Sequence, residues 1–463
     1  MKAKAMQRPS RSIGLVLLGL LVPPTLTSTA QTPASWTGPV NLEAHSAPYQ
    51  SPAQPRPYLT NLAAAPAAPL AGSFDVTAFE NLAAQLTVGQ RVPGLSMAIV
   101  HNGRVLSARG YGVTDVSRPQ AVDGHTVFRL ASLSKAFAGT MAGLLVADGS
   151  LRWDSKVRDY VPSFSLQDEP AAQRVTVADL LSHRVGLKAH NAFDRDIEAN
   201  AEYYSVSRKL AHAPLQCTPG QCYAYQNVAF SLIGDVVFAA TGSFYDQAVD
   251  RRIFKPLGMN DASVGLAGIE NSPSWARPHV RSRNGWVSVN PKPTYYRLPP
   301  AAGVNASASD MAQWLLAQTG HRPDVLPAPL LATLHAPIIS TPGEMRSGWR
   351  RERLNSASYA LGWRVFDYAG EQVVFHAGAV QGYRGLVALV PGRDLAVAIM
   401  WNGESSLPSS MLPTILDSAL GLPAHQWIDR DVANELLLAK SNRLQAAPAE
   451  TGGTAPRVNA SPR

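Results

Sequence analysis

Two cysteines among 463 residues are too few for a disulfide-built scaffold or a four-cysteine zinc site. Charge is scarce as well. Only 16% of the residues are Asp, Glu, Lys or Arg, below the usual ~25%, which excludes a disordered polyelectrolyte. No element gathers Lys and Arg into a cluster, so the formal charge of +8 is not the footprint of a nucleic-acid binder. His183 and His190 stand seven apart and no His-Glu-x-x-His occurs, which removes the familiar zinc spacings. Gly110-Tyr111-Gly112 lacks the third glycine and the following helix of a nucleotide fingerprint. No Gly-x-Ser-x-Gly elbow is present, which counts against the α/β-hydrolase route to an esterase. No internal repeat is visible. The expected partner is a small-molecule or peptide substrate, with no metal, no cofactor and no nucleic acid. The sequence leaves the oligomeric state open.

Long apolar runs are missing too. The run at 13–22 follows Lys2, Lys4, Arg8 and Arg11, is stopped by Pro23-Pro24 and ends in Ser28-Thr29-Ala30. It is too short to span a bilayer and has the layout of a secretory signal cut after Ala30. Cleavage halves the formal charge and predicts a periplasmic or secreted protein without a stable membrane span. Residues 31–72 are Ala- and Pro-rich and read as a leader. A single folded body is expected over 73–425. A tail follows over 426–463, with a short helix at 432–440 and its last fifteen residues disordered.

What the body does contain is strand signal at both ends and helical signal between them. Apolar residues at 95–100 and 105–108 flank Asn102-Gly103, the dipeptide of a tight hairpin. Four further strands are expected at 362–368, 372–376, 383–390 and 395–401, separated by turns at Ala369-Gly370 and 391–394. Helical patterns fall at 136–148, 176–182, 228–240, 246–254 and 309–318. The expected fold class is α+β: an antiparallel sheet flanked by helices, with an inserted helical lobe. A crevice between two such lobes is the natural place for a site.

The chemistry-bearing residues enter at 128–135, Phe-Arg-Leu-Ala-Ser-Leu-Ser-Lys. Ser132 and Lys135 are three apart, nearly one helical turn, so their side chains share a face. A serine hydroxyl is a poor nucleophile until a base takes its proton, and a lysine becomes such a base when burial and nearby cations lower its pKa. The helix N-terminus adds N–H groups that suit an oxyanion. Tyr225-Gln226-Asn227 supplies a phenol and an amide from a second segment. His376-Ala377-Gly378 ends a strand with an ionisable ring and a residue without a side chain, which would let a substrate backbone come close.

Taken in order, these three motifs resemble those of the penicillin-recognising serine hydrolases, the group of class C β-lactamases, D,D-peptidases and related esterases. The resemblance extends over about 350 residues, through segments such as Val177-Ala178-Asp179-Leu180-Leu181-Ser182-His183 and Phe254-Lys255-Pro256-Leu257-Gly258-Met259. It implies a β-lactamase/transpeptidase-like fold and hydrolysis of an amide, peptide, β-lactam or ester bond. It further implies an acyl-enzyme on Ser132, proton transfer shared by Lys135 and Tyr225, and Asn227 holding both Lys135 and a substrate amide. The oxyanion would rest on the N–H groups of Ser132 and Ala379.

His376 stands where many relatives keep a lysine. A mostly neutral imidazole there predicts weaker or pH-dependent recognition of a substrate carboxylate. Arg384 is either the missing charge or a solvated cation at a strand end. Cys217 and Cys222, four residues apart around Pro219-Gly220, are expected to form a small disulfide that shapes the turn before Tyr225. Which of Lys135 and Tyr225 is the formal base stays open at this level.

Overall fold

A computed structural model describes residues 67–346 and 348–432. The signal, most of the leader and the tail from 433 onward lie outside the described residues. The chain begins with helix α1 (Val76–Thr87), capped by the Asp75 carboxylate, which accepts from Thr77 N–H. The hairpin β1 (Gly94–His101) and β2 (Arg104–Gly112) follows. Asn102 and Gly103 both take positive φ, 48° and 69°, as a two-residue turn with the right twist requires. The helical middle contains α2 (Ser134–Ala147), α3 (Val177–Leu181), α4 (Val228–Thr241) and α5 (Ala308–Gln318). Strands β3 (Ile339–Ser340), β4 (Leu354–Tyr359), β5 (Arg364–Tyr368), β6 (Glu371–Val380), β7 (Tyr383–Val390) and β8 (Leu395–Trp401) return to the sheet. Helix α6 (Met411–Leu420) then packs beside α1.

The eight strands form one antiparallel sheet in the order β2-β1-β8-β7-β6-β5-β4-β3. Its central strands are apolar on both faces, because both are covered. In β1, Ala98 and Val100 pack toward α2 and α5, whereas Leu95, Met97 and Ile99 pack toward α1 and α6. In β8, Ala396, Ala398 and Met400 face the first core while Leu395, Val397 and Ile399 face the second. The period of two thus assigns a face to each strand residue, and the smaller residues lie under the helical lobe. The fully buried β8 is the sheet's apolar spine, and β2, with Arg104 and Arg109 among its solvent-facing positions, closes one edge.

The expected α+β architecture is present, with differences at its margins. Helices α1 and α6 and strands β3 and β4 were not in the sequence reading. The expected helix at 246–254 is present and longer, running Tyr245–Leu257 with a wider, π-helical turn over Asp250–Phe254. The body also begins before 73: Ala68 N–H donates to Gly392 O and Ala71 N–H to Ala419 O. It extends past 425, since Trp427 is buried and its Nε1–H donates to Asp417 at 2.9 Å. No single helix among the described residues is long and apolar enough to cross a membrane.

Candidate active site

Ser132 sits on a tight turn between the short strand Phe128–Arg129 and α2. Ala131, just before it, has φ +49°, a left-handed conformation that costs an alanine about 1 kcal/mol or more. The turn is held from several sides. Ser134 Oγ donates to Ala131 O at 2.6 Å and accepts from Val304 N–H at 2.9 Å, so the second serine of the motif is a clamp. Gly378 closes the turn from the sheet. A Cβ there would lie 2.2 Å from Leu130 O and 3.1 Å from Ser132 N. The glycine therefore gives room to the backbone around Ser132.

Lys135 is 0% exposed. Its Nζ donates to Asn227 Oδ1 at 2.7 Å and Ala301 O at 3.0 Å, and stands 3.3 Å from Ser132 Oγ. Burial pushes the amine well below the usual lysine range; Asp194 opposes this and Arg364 adds to it. Tyr225 lies against the same group, with Nζ 4.7 Å from its ring centroid. Burial raises the Tyr225 phenol, outweighing the Arg364 charge and the hydrogen bond with Ser132 that act in the other direction. Of the two candidate bases, the lysine is thus the group shifted toward its neutral form and the tyrosine the one kept protonated.

The loop carrying Tyr225 is fixed by Gln226, whose N–H donates to His183 Nδ1 at 3.1 Å and whose side chain bonds Ala189 O and Ala192 N–H. The expected Cys217–Cys222 disulfide is present. Its turn is stitched to the neighbouring segment by Gln216 N–H to Gly186 O and Ala224 N–H to His183 O. Asn227 holds Lys135 as expected, but its amide nitrogen is engaged elsewhere. Its Nδ2 donates to Asp194 Oδ2 at 2.7 Å and Asn191 Oδ1 at 3.3 Å. With both hydrogens used internally, none is left for a substrate amide.

His376 also departs from expectation. It shares the β6 face of Val374 and Gly378, under the helical lobe, and is 0% exposed. His376 Nδ1 bonds Ala377 O at 2.8 Å, which makes it the protonated nitrogen, so Nε2 accepts from Tyr359 Oη at 3.0 Å. The Tyr359 oxygen in turn accepts from His183 Nε2 at 3.2 Å, and His183 Nδ1 accepts from Gln226. Every proton in this chain has one place, and both rings are neutral. Burial holds His183 and His376 well below the usual histidine range, with Lys135 and Arg364 reinforcing it. His376 therefore ties the third motif to the second instead of meeting substrate.

The positive charge of the site comes from elsewhere. Ser132, Tyr225, Asn227, Gly378, Ala379 and Arg384 line a cavity of about 1040 Å³, and Arg350 and Arg364 line it too. Arg384 is half-committed: its Nη1 donates to Val380 O at 2.6 Å and Tyr383 O at 2.8 Å. Arg364 and Arg350 share one carboxylate, Glu344, which leaves one positive charge on this pair beside Tyr225, while Asp194, Glu198, Glu404 and Asp431 line the same cavity. Burial works against the Arg364 charge, but Tyr223 and Glu344 outweigh it. The sequence did hold a signal for this residue. An arginine directly after Trp363 in an expected strand has to be paired or used.

Among the described residues no group of three His, Cys, Asp or Glu could hold a metal ion. A family model described as Beta-lactamase matches residues 79–419. The chain belongs to the beta-lactamase family. Among its relatives, the unguisins hydrolase ungD' of Aspergillus campestris is 27% identical over 322 residues, 67% of this chain and 58% of that protein. The unguisins hydrolase ungD of Aspergillus violaceofuscus is 23% identical, over 78% of this chain and 67% of its own. Protein flp of Staphylococcus aureus is 25% identical, over 70% and 62%. This chain thus spans about three fifths of the length of the first relative. The octameric penicillin-binding protein homologue from Pyrococcus abyssi superposes with a TM-score of 0.68 at 22% identity, over 79% of this chain and 81% of that one. SurE gives 0.61 at 22% identity, over 75% and 77%. These two show the fold.

Proposed function

We propose that the protein is a serine hydrolase that cleaves an amide bond, in a peptide or a β-lactam, through an acyl-Ser132 intermediate. One observation carries the reading: the arrangement around Lys135 Nζ. A neutral amine has two hydrogens and one lone pair. Asn227 Oδ1 and Ala301 O take the two hydrogens, which leaves the lone pair for the Ser132 hydroxyl 3.3 Å away. Ser132 Oγ attacks the carbonyl carbon as its proton passes to Lys135, and the N–H groups of Ser132 and Ala379 hold the oxyanion. As the tetrahedral adduct collapses, Tyr225 gives its proton to the leaving nitrogen and is reprotonated from the Lys135 ammonium. Water then attacks the acyl carbon, its proton taken by the same pair, and Ser132 is released.

The arginine wall supports a substrate with a carboxylate near the scissile bond, since guanidinium groups suit that anion. The fungal relatives named as hydrolases agree with turnover rather than mere acylation. The disulfide supports export into an oxidising compartment. The test compares a short peptide ending in D-alanine, as free acid and as methyl ester, with a chromogenic cephalosporin and an aryl acetate. The free acid should have a KM at least about tenfold below its methyl ester. Arg364→Met should remove that difference, read from the ratio of the two KM values, since Arg364 also helps hold Lys135 low and its loss slows every substrate together. Turnover of the aryl acetate alone would refute the amide reading.

A further inference from the structure

The helical lobe holds a second cavity, of about 920 Å³, that shares no lining residue with the catalytic one. It is walled mainly by apolar and aromatic side chains, among them Tyr203, Phe238, Phe244, Tyr245 and Pro300. Its size and lining are those of a small-molecule site. Three features of it are unsatisfied in the free protein.

The first is Asp235 on α4. Its Oδ2 accepts from Tyr203 Oη at 2.7 Å and its Oδ1 lies 3.5 Å from Tyr204 Oη. Among the described residues no cation pairs with it. Burial pushes its carboxyl above the usual range, against the two tyrosine hydrogen bonds. The other charges of the cavity balance: Arg297 is bound to Glu202 at 2.5 Å, and Arg208 and Asp246 are opposite in sign and exposed. The second is Tyr245, only 6% exposed, whose hydroxyl has no hydrogen-bond partner. The third is an aromatic rim left in water. Phe238 and Phe244 stack at 5.1 Å while 45% and 62% exposed, and Tyr204 is 69% exposed with its ring 5.1 Å from Tyr203. Such rings attract cations through their faces.

The geometry points to a binding site for a small organic cation with an apolar body, an aryl- or alkylammonium ion. Its charge sits at Asp235 and its body among the rings of Tyr203, Tyr204, Phe238 and Phe244. An anion is excluded by Asp235, and a neutral apolar molecule would leave that carboxylate unpaired.

The probes are phenethylammonium, the neutral phenethyl alcohol and the anionic 3-phenylpropionate, titrated calorimetrically into the full chain near pH 8. Because Asp194 and Glu198 also line the catalytic cavity, the titration is repeated after a fluorophosphonate has blocked that cavity. Phenethylammonium should bind one-to-one, blocked or not, about tenfold or more tighter than the alcohol, with the acid weakest. Asp235→Asn should weaken it about tenfold. Tyr245→Phe, which removes a sealed hydroxyl without a partner, should keep both the fold and the binding and serves as the control; thermal melts check both variants. The site is refuted by equal binding of the three probes, by binding that Asp235→Asn leaves unchanged, by loss of binding in the blocked protein, or by no saturation up to about 20 mM.

Discussion

Replacing Lys135 with methionine keeps most of the stem and deletes the amine that the proposed chemistry needs. Asn227 Oδ1 and Ala301 O lose their donor, each at a cost of about 1–3 kcal/mol, while the desolvation of the amine disappears. Those opposing effects make stability at one pH a poor test. The pH dependence is sharper. A lysine held below its ordinary pKa binds fewer protons folded than unfolded. Its contribution is therefore complete above about 10.4, the ordinary lysine pKa, and is lost as pH falls toward the folded pKa. Inside that window each pH unit is worth up to about 1.4 kcal/mol. Burial and the Arg364 charge set the lower end of that window well below the ordinary lysine value. From pH 8.5 to 9.5 the wild-type protein should gain unfolding free energy relative to Lys135→Met, by up to about 1.4 kcal/mol. Urea unfolding of both proteins at the two pH values measures this, because all other groups cancel in the difference. Aryl acetate turnover should fall about 10²- to 10⁴-fold in the mutant. Equal pH slopes in the two proteins would show that the buried amine is not shifted and would remove it as the base.

His376→Lys should not create a better carboxylate site; it places a buried ammonium between Tyr359 and the nearby Arg364 charge, and urea unfolding should show a loss of about 3 kcal/mol or more. Gly378→Ala drives a methyl group to within 2.2 Å of Leu130 O, so acylation measured by stopped-flow should slow at least about a hundredfold with the fold retained. Opening the Cys217–Cys222 bridge by replacing both cysteines with serine should cost roughly 2 kcal/mol and lower kcat more than it changes KM, because the turn leads to Tyr225; an unchanged kcat would limit the bridge to stability.

The motifs were legible because each is a short segment whose chemistry survives without its surroundings. Ser132, Lys135 and Tyr225 meet as expected, and the two cysteines form the expected disulfide. What failed was orientation. His376 was read as a substrate ligand from its motif position, although the alternation Val374, His376, Gly378 places it on the face covered by the helical lobe. Asn227 was given a substrate hydrogen bond that Asp194 and Asn191 take up. Those two residues precede it by 33 and 36 positions, and no local pattern announces the contact. Arg364 had a local signal, its place after Trp363 in an expected strand, but its partner Glu344 did not, because their pairing depends on how β5 meets the segment before β4. At the margins of the fold, α1 and α6 carry short apolar patterns whose purpose only the sheet's second face explains, and the docked Trp427 lies in a segment whose composition reads as tail.

The central claim is that Ser132 carries the acyl group. Intact mass spectrometry of the full chain, quenched milliseconds to minutes after mixing with a penicillin or a D-alanyl peptide ester, tests it most directly. The account predicts a single adduct that maps to Ser132, decays as product forms, and is absent from Ser132→Ala together with turnover. An adduct on another residue, or turnover that survives in Ser132→Ala, would contradict it.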